Sequence, residues 1–165
     1  MQETVLIPKD RVAILIGRKG TSRRQIEKLG GVKLWVDSNS SEITLNGSNL
    51  NRIYFTKKVV ELVARGFSPK SACKLFDEKY AAEILELRDF NAKERKDRKR
   101  ILGRLIGTQG KTKNIIEKDT NTEIIIYGKT VSILGKTEDV EHARLAVESL
   151  LGGSKFGRAF RALKE

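Results

Sequence analysis

Cysteine, histidine and tryptophan occur only once each in these 165 residues. A lone cysteine, Cys73, excludes an internal disulfide and leaves a thiolate metal site without a second ligand, so it reads as small apolar filler. A lone histidine, His142, stands beside Glu141 with no Cys or His at metal-binding spacing, which argues against a zinc site. Any Ser-His-Asp triad would also have to use that one imidazole. The acidic residues are scattered, without the compact cluster that metal-dependent nucleases need. No apolar run approaches the roughly 20 residues of a membrane span. The opening decapeptide, MQETVLIPKD, lacks the basic, apolar and small-residue succession of a signal peptide. A cytoplasmic protein with no membrane association is expected, with no enzymatic activity, cofactor or metal.

Negative charge is also in short supply. Lys and Arg number 33 against 21 Asp and Glu, a net +12. Surface ion-pair networks need both signs, so an excess of one sign points instead to a polyanion partner. The excess is uneven: +6 over residues 1–66, −1 over 67–92, +4 in the octet Lys93 to Arg100 and +3 over 101–165. Basic ends around a neutral middle suit two binding modules and a connector. Hydrophobic residues make up 39% of the chain, enough for folded cores.

The chain repeats itself. Residues 16–28, IGRKGTSRRQIEK, and 106–118, IGTQGKTKNIIEK, share six identities in thirteen positions at an offset of 90. Gly-x-x-Gly alone arises by chance, but the shared frame Ile-Gly-x-x-Gly-x-x-x-x-x-Ile-Glu-Lys is specific. Each copy is followed by two apolar runs and a helical stretch: Val32 to Val36 and Ile43 to Leu45 in the first, Glu123 to Tyr127 and Val131 to Leu134 in the second. The alternation of Val32, Leu34 and Val36 predicts a half-buried strand. Gly128 suits a tight hairpin. Asn49 opens a helix to about Arg65, with Leu50, Ile53, Val60 and Val63 facing inward. Thr137 caps another, whose apolar stripe is Val140, Ala143, Val147, Leu150 and Leu151, ended by Gly152-Gly153.

Ahead of the first glycine loop, Val5-Leu6-Ile7 reads as a strand closed by Pro8, and Asp10 caps a short helix from Arg11 to Ile16. The order is therefore β-α-loop-α-β-β-α. In the second copy the opening strand is placed at about Ile84 to Phe90, although Ala81 to Leu87 reads equally as helix. Asn91 to Glu94 resembles a capping box for a basic helix to about Leu105. Ser68-Pro69 starts a helix to about Asp77. The expected layout is a first domain over 1–66, a helical connector over 67–82, a second domain over 83–152 and a basic tail or helix over 153–165.

This frame, flanked by helices and followed by a hairpin and a helix, resembles the KH domain in its strand-first, type I form. The resemblance implies an α+β fold: a three-stranded sheet packed on three helices, twice in tandem. The stretch GTQGKTKNIIEKDTNTEIIIYGKTVSILG, with its helix and GSKFGRAFRAL, is most similar to archaeal members of the Pno/Dim family of pre-ribosomal RNA-binding proteins, relatives of Krr. That similarity implies binding near the 3′ end of small-subunit rRNA during maturation, where a partner PIN-domain endonuclease cuts.

A KH loop clamps the backbone of about four nucleotides. Glycine leaves room for the sugar-phosphate chain, and the helix N-terminus behind it favours a phosphate. The expected RNA-binding residues are Gly17, Arg18, Lys19, Gly20, Thr21, Arg23 and Arg24 in the first copy. In the second they are Gly107, Thr108, Gln109, Gly110, Lys111, Thr112, Lys113 and Asn114. Arg18 and Lys19 add charge at the first loop. Thr108 and Gln109 offer only hydrogen bonds, so the second relies on Lys111 and Lys113. Where the KH pattern has an apolar residue, three positions past the second glycine, this chain has Arg23 and Lys113. Either the helix is rotated or these side chains snorkel toward RNA. Ile16, Ile26, Ile106 and Ile116 read as core or groove floor. The octet Lys93 to Arg100 reads equally as RNA contact or solvated helix face. Trp35, in an alternating strand, is expected in the core. Phe156, Phe160 and Leu163 are expected on the inner face of a tail helix, with Arg158, Arg161 and Lys164 outside.

Gly-Lys-Thr occurs at 110–112, 128–130 and 135–137, but a Walker A loop needs a glycine five positions earlier, where Leu105, Glu123 and Thr130 stand. Nucleotide hydrolysis is excluded on that ground. Two other functions remain beside rRNA maturation: a general tandem-KH mRNA binder or translational regulator, and a protein-interaction scaffold for a processing nuclease.

Overall fold

The computed structural model describes residues 1–154 and Arg161. The chain divides into two compact units between Glu78 and Lys79. The first contains β1 (Gln2–Leu6), α1 (Lys9–Ile16), α2 (Thr21–Gly30), β2 (Lys33–Asp37), β3 (Glu42–Asn46) and α3 (Leu50–Ala64). The strands form an antiparallel sheet in the order β1-β3-β2, with Val5 and Val36 both opposite Ile43 and Glu3 and Leu34 both opposite Leu45. Leu34, Ile43 and Leu45 are buried on one face, in a core with Leu15, Ile26, Ile53, Val60 and Val63 from the three helices. Asn49 caps α3 as expected, its side chain accepting from the amides of Asn51 and Arg52. The Arg11 guanidinium ties α1 to the end of α3 by donating to the carbonyls of Val63 and Phe67, both at 2.8 Å.

Several expectations shift. The first strand is Gln2–Leu6, and α1 starts at Lys9 behind Pro8, with Asp10 in its first turn rather than at its cap. Trp35 is 60% exposed. Successive strand residues point to opposite faces, and Leu34 takes the single face that the helices cover. Leu50 is 65% exposed, because the buried stripe of α3 begins at Ile53.

Residues 67–78, expected within a helical connector over 67–82, belong to the first unit and pack on it. Phe67, Ala72 and Leu75 are buried. The short helix α4 (Pro69–Ala72) is capped by Ser68 and runs into a 3-10 turn over Cys73–Phe76. The Phe76 ring lies against Gly30, so this segment closes over α2. Burial pushes the Cys73 thiol up to about 11, consistent with a packing role.

The second unit contains β4 (Tyr80–Glu86), α5 (Arg95–Ile106), α6 (Lys111–Thr120), β5 (Glu123–Tyr127), β6 (Thr130–Lys136) and α7 (Thr137–Leu151), with sheet order β4-β6-β5. Its opening strand starts four residues earlier than expected, because β6 pairs along Tyr80 to Glu86. Leu87–Phe90 is a 3-10 turn, anchored by buried Leu87. No capping box forms: Asn91 takes a left-handed turn, and α5 begins at Arg95 without a side-chain cap. Thr137 is the first residue of α7 rather than its cap, and its amide and hydroxyl both donate to the Lys79 carbonyl. The expected stripe of α7 is buried in full. Apart from Gly153, Ser154 and exposed Arg161, the basic tail with Phe156, Phe160 and Leu163 lies outside the described residues. No helix among the described residues is long and apolar enough to cross a membrane.

Asn49→Ala should lower stability by about 0.5–2 kcal/mol, the usual worth of a polar N-cap. Urea denaturation should show a lower midpoint with an unchanged slope.

Candidate nucleic-acid interface

The two glycine loops take the same path. Gly17 has φ 76° and ψ 174°, and Gly107 has φ 72° and ψ 178°. Lys19 and Gln109 both sit at φ 55°, and Gly20 and Gly110 at φ 73° and 75°. The first glycine amide closes the preceding helix onto Ala13 or Gly103, and the second donates back to the carbonyl of the first. Both turns lead directly into α2 and α6, neither of which has a side-chain N-cap. In each, the first helical amide, Thr21 N–H or Lys111 N–H, is taken by the loop carbonyl of Arg18 or Thr108, and no side chain caps the amides that follow, at the positive end of the helix dipole.

The first glycine of each pair is required for a reason the sequence reading did not supply. A Cβ on Gly17 would lie 2.3 Å from Ser22 Oγ, and one on Gly107 2.2 Å from Thr112 Oγ1. The loop folds back upon the second residue of the helix it opens, so the space that glycine frees is filled by the protein's own hydroxyl. A Cβ on Gly20 would meet the Arg24 guanidinium at 3.0 Å, and on Gly110 the nearest side-chain atom is Asn114 Nδ2 at 3.8 Å. Arg24 and Asn114 thus stand beside the second glycine of their loops.

Arg18, Lys19, Thr21 and Arg24 are exposed around the first loop, and Thr108, Gln109, Lys111 and Asn114 around the second. Thr112 is half-buried against Gly107. Arg23 and Lys113 are half-buried, and each pairs with the glutamate one turn on. Arg23 Nε lies 3.5 Å from Glu27 Oε1, and Lys113 Nζ lies 2.7 Å from Glu117 Oε1. The other carboxylate oxygen of each glutamate accepts the first inner-facing amide of the next strand, Leu34 N–H or Ile124 N–H, at 3.0 Å. This clasp holds helix to strand in both units, and the basic residue neutralises it. Rotation or snorkelling is not needed to account for Arg23 and Lys113. Glu27 and Glu117 were missed from sequence, although the shared Ile-Glu-Lys was the signal that marked them.

Of the four isoleucines, Ile26 and Ile116 are buried, Ile16 is half-buried and Ile106 is exposed. Along α5, Lys96 pairs with Glu94, Arg100 with Asp97, and Arg98 donates to the Lys93 carbonyl. Among the described residues, no group of three or more His, Cys, Asp or Glu side chains could hold a metal ion.

Residues 81–165 match the family described as the second KH domain of Pno1, a eukaryotic-type (type I) KH domain, and residues 2–61 match the KH domain family. A KH domain-containing protein of Methanocaldococcus jannaschii is 36% identical over 98% of this chain and 72% of its own length. The chain belongs to the Pno/Dim family of tandem KH proteins. Crystal structures of Dim2p from Pyrococcus horikoshii, alone and in a complex with a/eIF2α and rRNA, are each 36% identical to it. The first has a TM-score of 0.88, covering 99% of this chain and 98% of that one. The second has a TM-score of 0.87, covering 99% and 92%. The pre-rRNA-processing protein Pno1 of Chaetomium thermophilum is 40% identical over 39% of the chain, and the match spans about a quarter of that longer protein. The KH domains of this Pno/Dim protein are RNA-binding modules, and the family is not one of enzymes.

Gly107→Ala should distort its loop more than Gly110→Ala. Both impose a side chain at positive φ, at a cost of about 1–3 kcal/mol, but only the first also drives a Cβ into Thr112. Thermal unfolding should rank the two in that order. Glu117→Ala, which strands Lys113 and the Ile124 amide together, should destabilise by about 1.5–3 kcal/mol and cost more than Lys113→Ala.

Proposed function

We propose that this Pno/Dim protein binds single-stranded rRNA of the small subunit near its 3′ end during ribosome maturation, gripping the strand through both Gly-x-x-Gly loops. The observation that carries the reading is the duplicated exposed turn with a helix N-terminus free of side-chain caps behind it, on a chain of net charge +12. A phosphate set at each turn meets the favourable end of a helix dipole with no side-chain cap competing for it. The Pyrococcus relative, solved with rRNA, supports the choice of ligand.

The two clamps hold the strand differently. At the first, Arg18 and Lys19 add a direct ionic grip and Arg24 flanks the second glycine. At the second, Thr108 and Gln109 supply hydrogen bonds, with Lys111 behind them. Linked on one chain, the clamps gain avidity for a continuous strand only where the geometry lets both engage. The protein performs no cleavage. Its role is to hold the rRNA end, in the cytoplasm, for a partner PIN-domain endonuclease.

Thr108→Asp with Gln109→Asp should leave the fold intact and weaken binding to a 3′-terminal small-subunit rRNA oligonucleotide at least tenfold. If that folded variant binds like the parent, the second unit is a scaffold and not a clamp. Log K should fall with log salt by about 0.7 per phosphate contacted, and Arg18→Ala with Lys19→Ala should flatten that slope by one to two contacts.

A further inference from the structure

The outer face of the first sheet, the side away from the helices, carries the chain's single tryptophan. Strand pairing sets its neighbours. Trp35 lies opposite Thr44, which lies opposite Thr4, and the next rung on the same face is Lys33, Asn46 and Gln2. Apart from Thr44, which is half-buried, all of these are exposed. An open indole with hydroxyls beside it, amides and one ammonium group on the rung to one side, and Asp37, Glu42 and exposed Leu6 on the rung to the other is poor core and poor apolar docking surface. It has the composition of a nucleobase platform: a π-face to stack upon, with donors and acceptors at its edge.

A basic path joins this platform to the first loop. Arg24 stands beside Gly20 and also lines a cleft of about 620 Å³ at the far end of α2, together with Lys28, Lys33, Asn46 and Glu27, whose charge is paired with Arg23. Arg24 and Lys28 are one helical turn apart on the same face. Lys33 and Asn46 belong both to the cleft and to the rung beside Trp35. From Lys33 the indole is two strand residues away, about 6.6 Å along β2. At the other end of the face Asp37 and Glu42 face each other, which directs a polyanion toward the Lys33 end.

The second unit lacks this arrangement. At the corresponding offset of 90, Arg24, Lys33 and Trp35 are replaced by Asn114, Glu123 and Ile125, and only Lys28 keeps its charge, as Lys118.

We propose that an RNA strand leaving the first glycine loop follows Arg24, Lys28 and Lys33 along this cleft, and that an unstacked base lies on Trp35. This rests on the RNA-binding reading above and extends it: the first unit contacts more nucleotides than its loop alone holds. The stacking is tolerant of base identity, because every base presents a π-face.

The test uses the whole chain and a fluorescently labelled, 3′-terminal small-subunit rRNA oligonucleotide. Affinity is read from anisotropy, and stacking from quenching of the only tryptophan. The expected result is saturable quenching of Trp35 with the same midpoint as the anisotropy. Trp35→Leu should bind about fivefold to 150-fold more weakly, the range for losing one stacked base, whereas Trp35→Phe should recover most of the affinity. Lys33→Ala should weaken binding and flatten its salt dependence. Because Trp35 is exposed, Trp35→Leu should unfold at the parental urea midpoint, which separates a binding defect from a folding one. Normal RNA binding with an unquenched tryptophan and a Trp35→Leu affinity equal to the parent's would overturn the platform while leaving the loops in place. Failure of the parent to bind the RNA at all would overturn both.

Discussion

Turning from one helix into the next within four residues forces the backbone through three positive-φ positions, at 17, 19 and 20 in the first unit and at 107, 109 and 110 in the second. The rest of each unit is arranged around that constraint. The sharp reversal leaves no side chain in place to cap the following helix, and its first amide is taken instead by the loop's own Arg18 or Thr108 carbonyl. It also presses the first glycine against Ser22 or Thr112, which fixes the loop's height above the helix. Lys19 and Gln109 accept left-handed backbone without being glycine. That strain is tolerated where the surrounding structure determines the turn, a common feature of functional loops.

A second device holds the loop's helix to the sheet. Glu27 and Glu117 each bridge from the helix to a strand amide while pairing with the basic residue one turn earlier. A half-buried carboxylate is costly unless it is both hydrogen-bonded and paired, and here it is both. This explains why an otherwise apolar position of the KH pattern carries charge in both copies. The basic residue there answers to an internal acid before it answers to RNA. The two units therefore share scaffold and turn, and differ in what they display. The first shows Arg18, Lys19, Arg24 and an open tryptophan, and the second shows Thr108, Gln109 and Asn114.

Much of this was legible from local pattern. The repeat announced two copies of one fold, the alternation of Val32, Leu34 and Val36 located β2, Asn49 marked the start of α3, and the 3.6-residue stripe of Val140 to Leu151 located α7. Where local signals were degenerate, they misled. Ala81 to Leu87 suits either helix or strand, and only pairing with β6 settled both its state and its ends. Asn91 to Glu94 has the letters of a capping box, yet Leu87 and Ala92 must both be buried, and the left-handed turn at Asn91 that brings them in destroys the cap.

What the sequence determined by itself was the identity of the elements and of the turn, because glycine spacing, capping residues and hydrophobic period act over a few residues. What only tertiary structure decided was which way each side chain was used. Trp35 and Leu34 compete for one covered sheet face, and the helices lie on Leu34's side. Arg23 and Lys113 sit at positions that look free in the linear chain and meet their glutamates one turn on. Phe67 to Phe76 reads as linker until α2 and α3 offer a surface for it to cover. The faces of Trp35 and Leu34 and the packing of Phe67 to Phe76 turn on surfaces that no local pattern encodes, whereas the Arg23 and Lys113 pairs are local, one helical turn long, and only the strand amide that each glutamate also holds comes from beyond the helix.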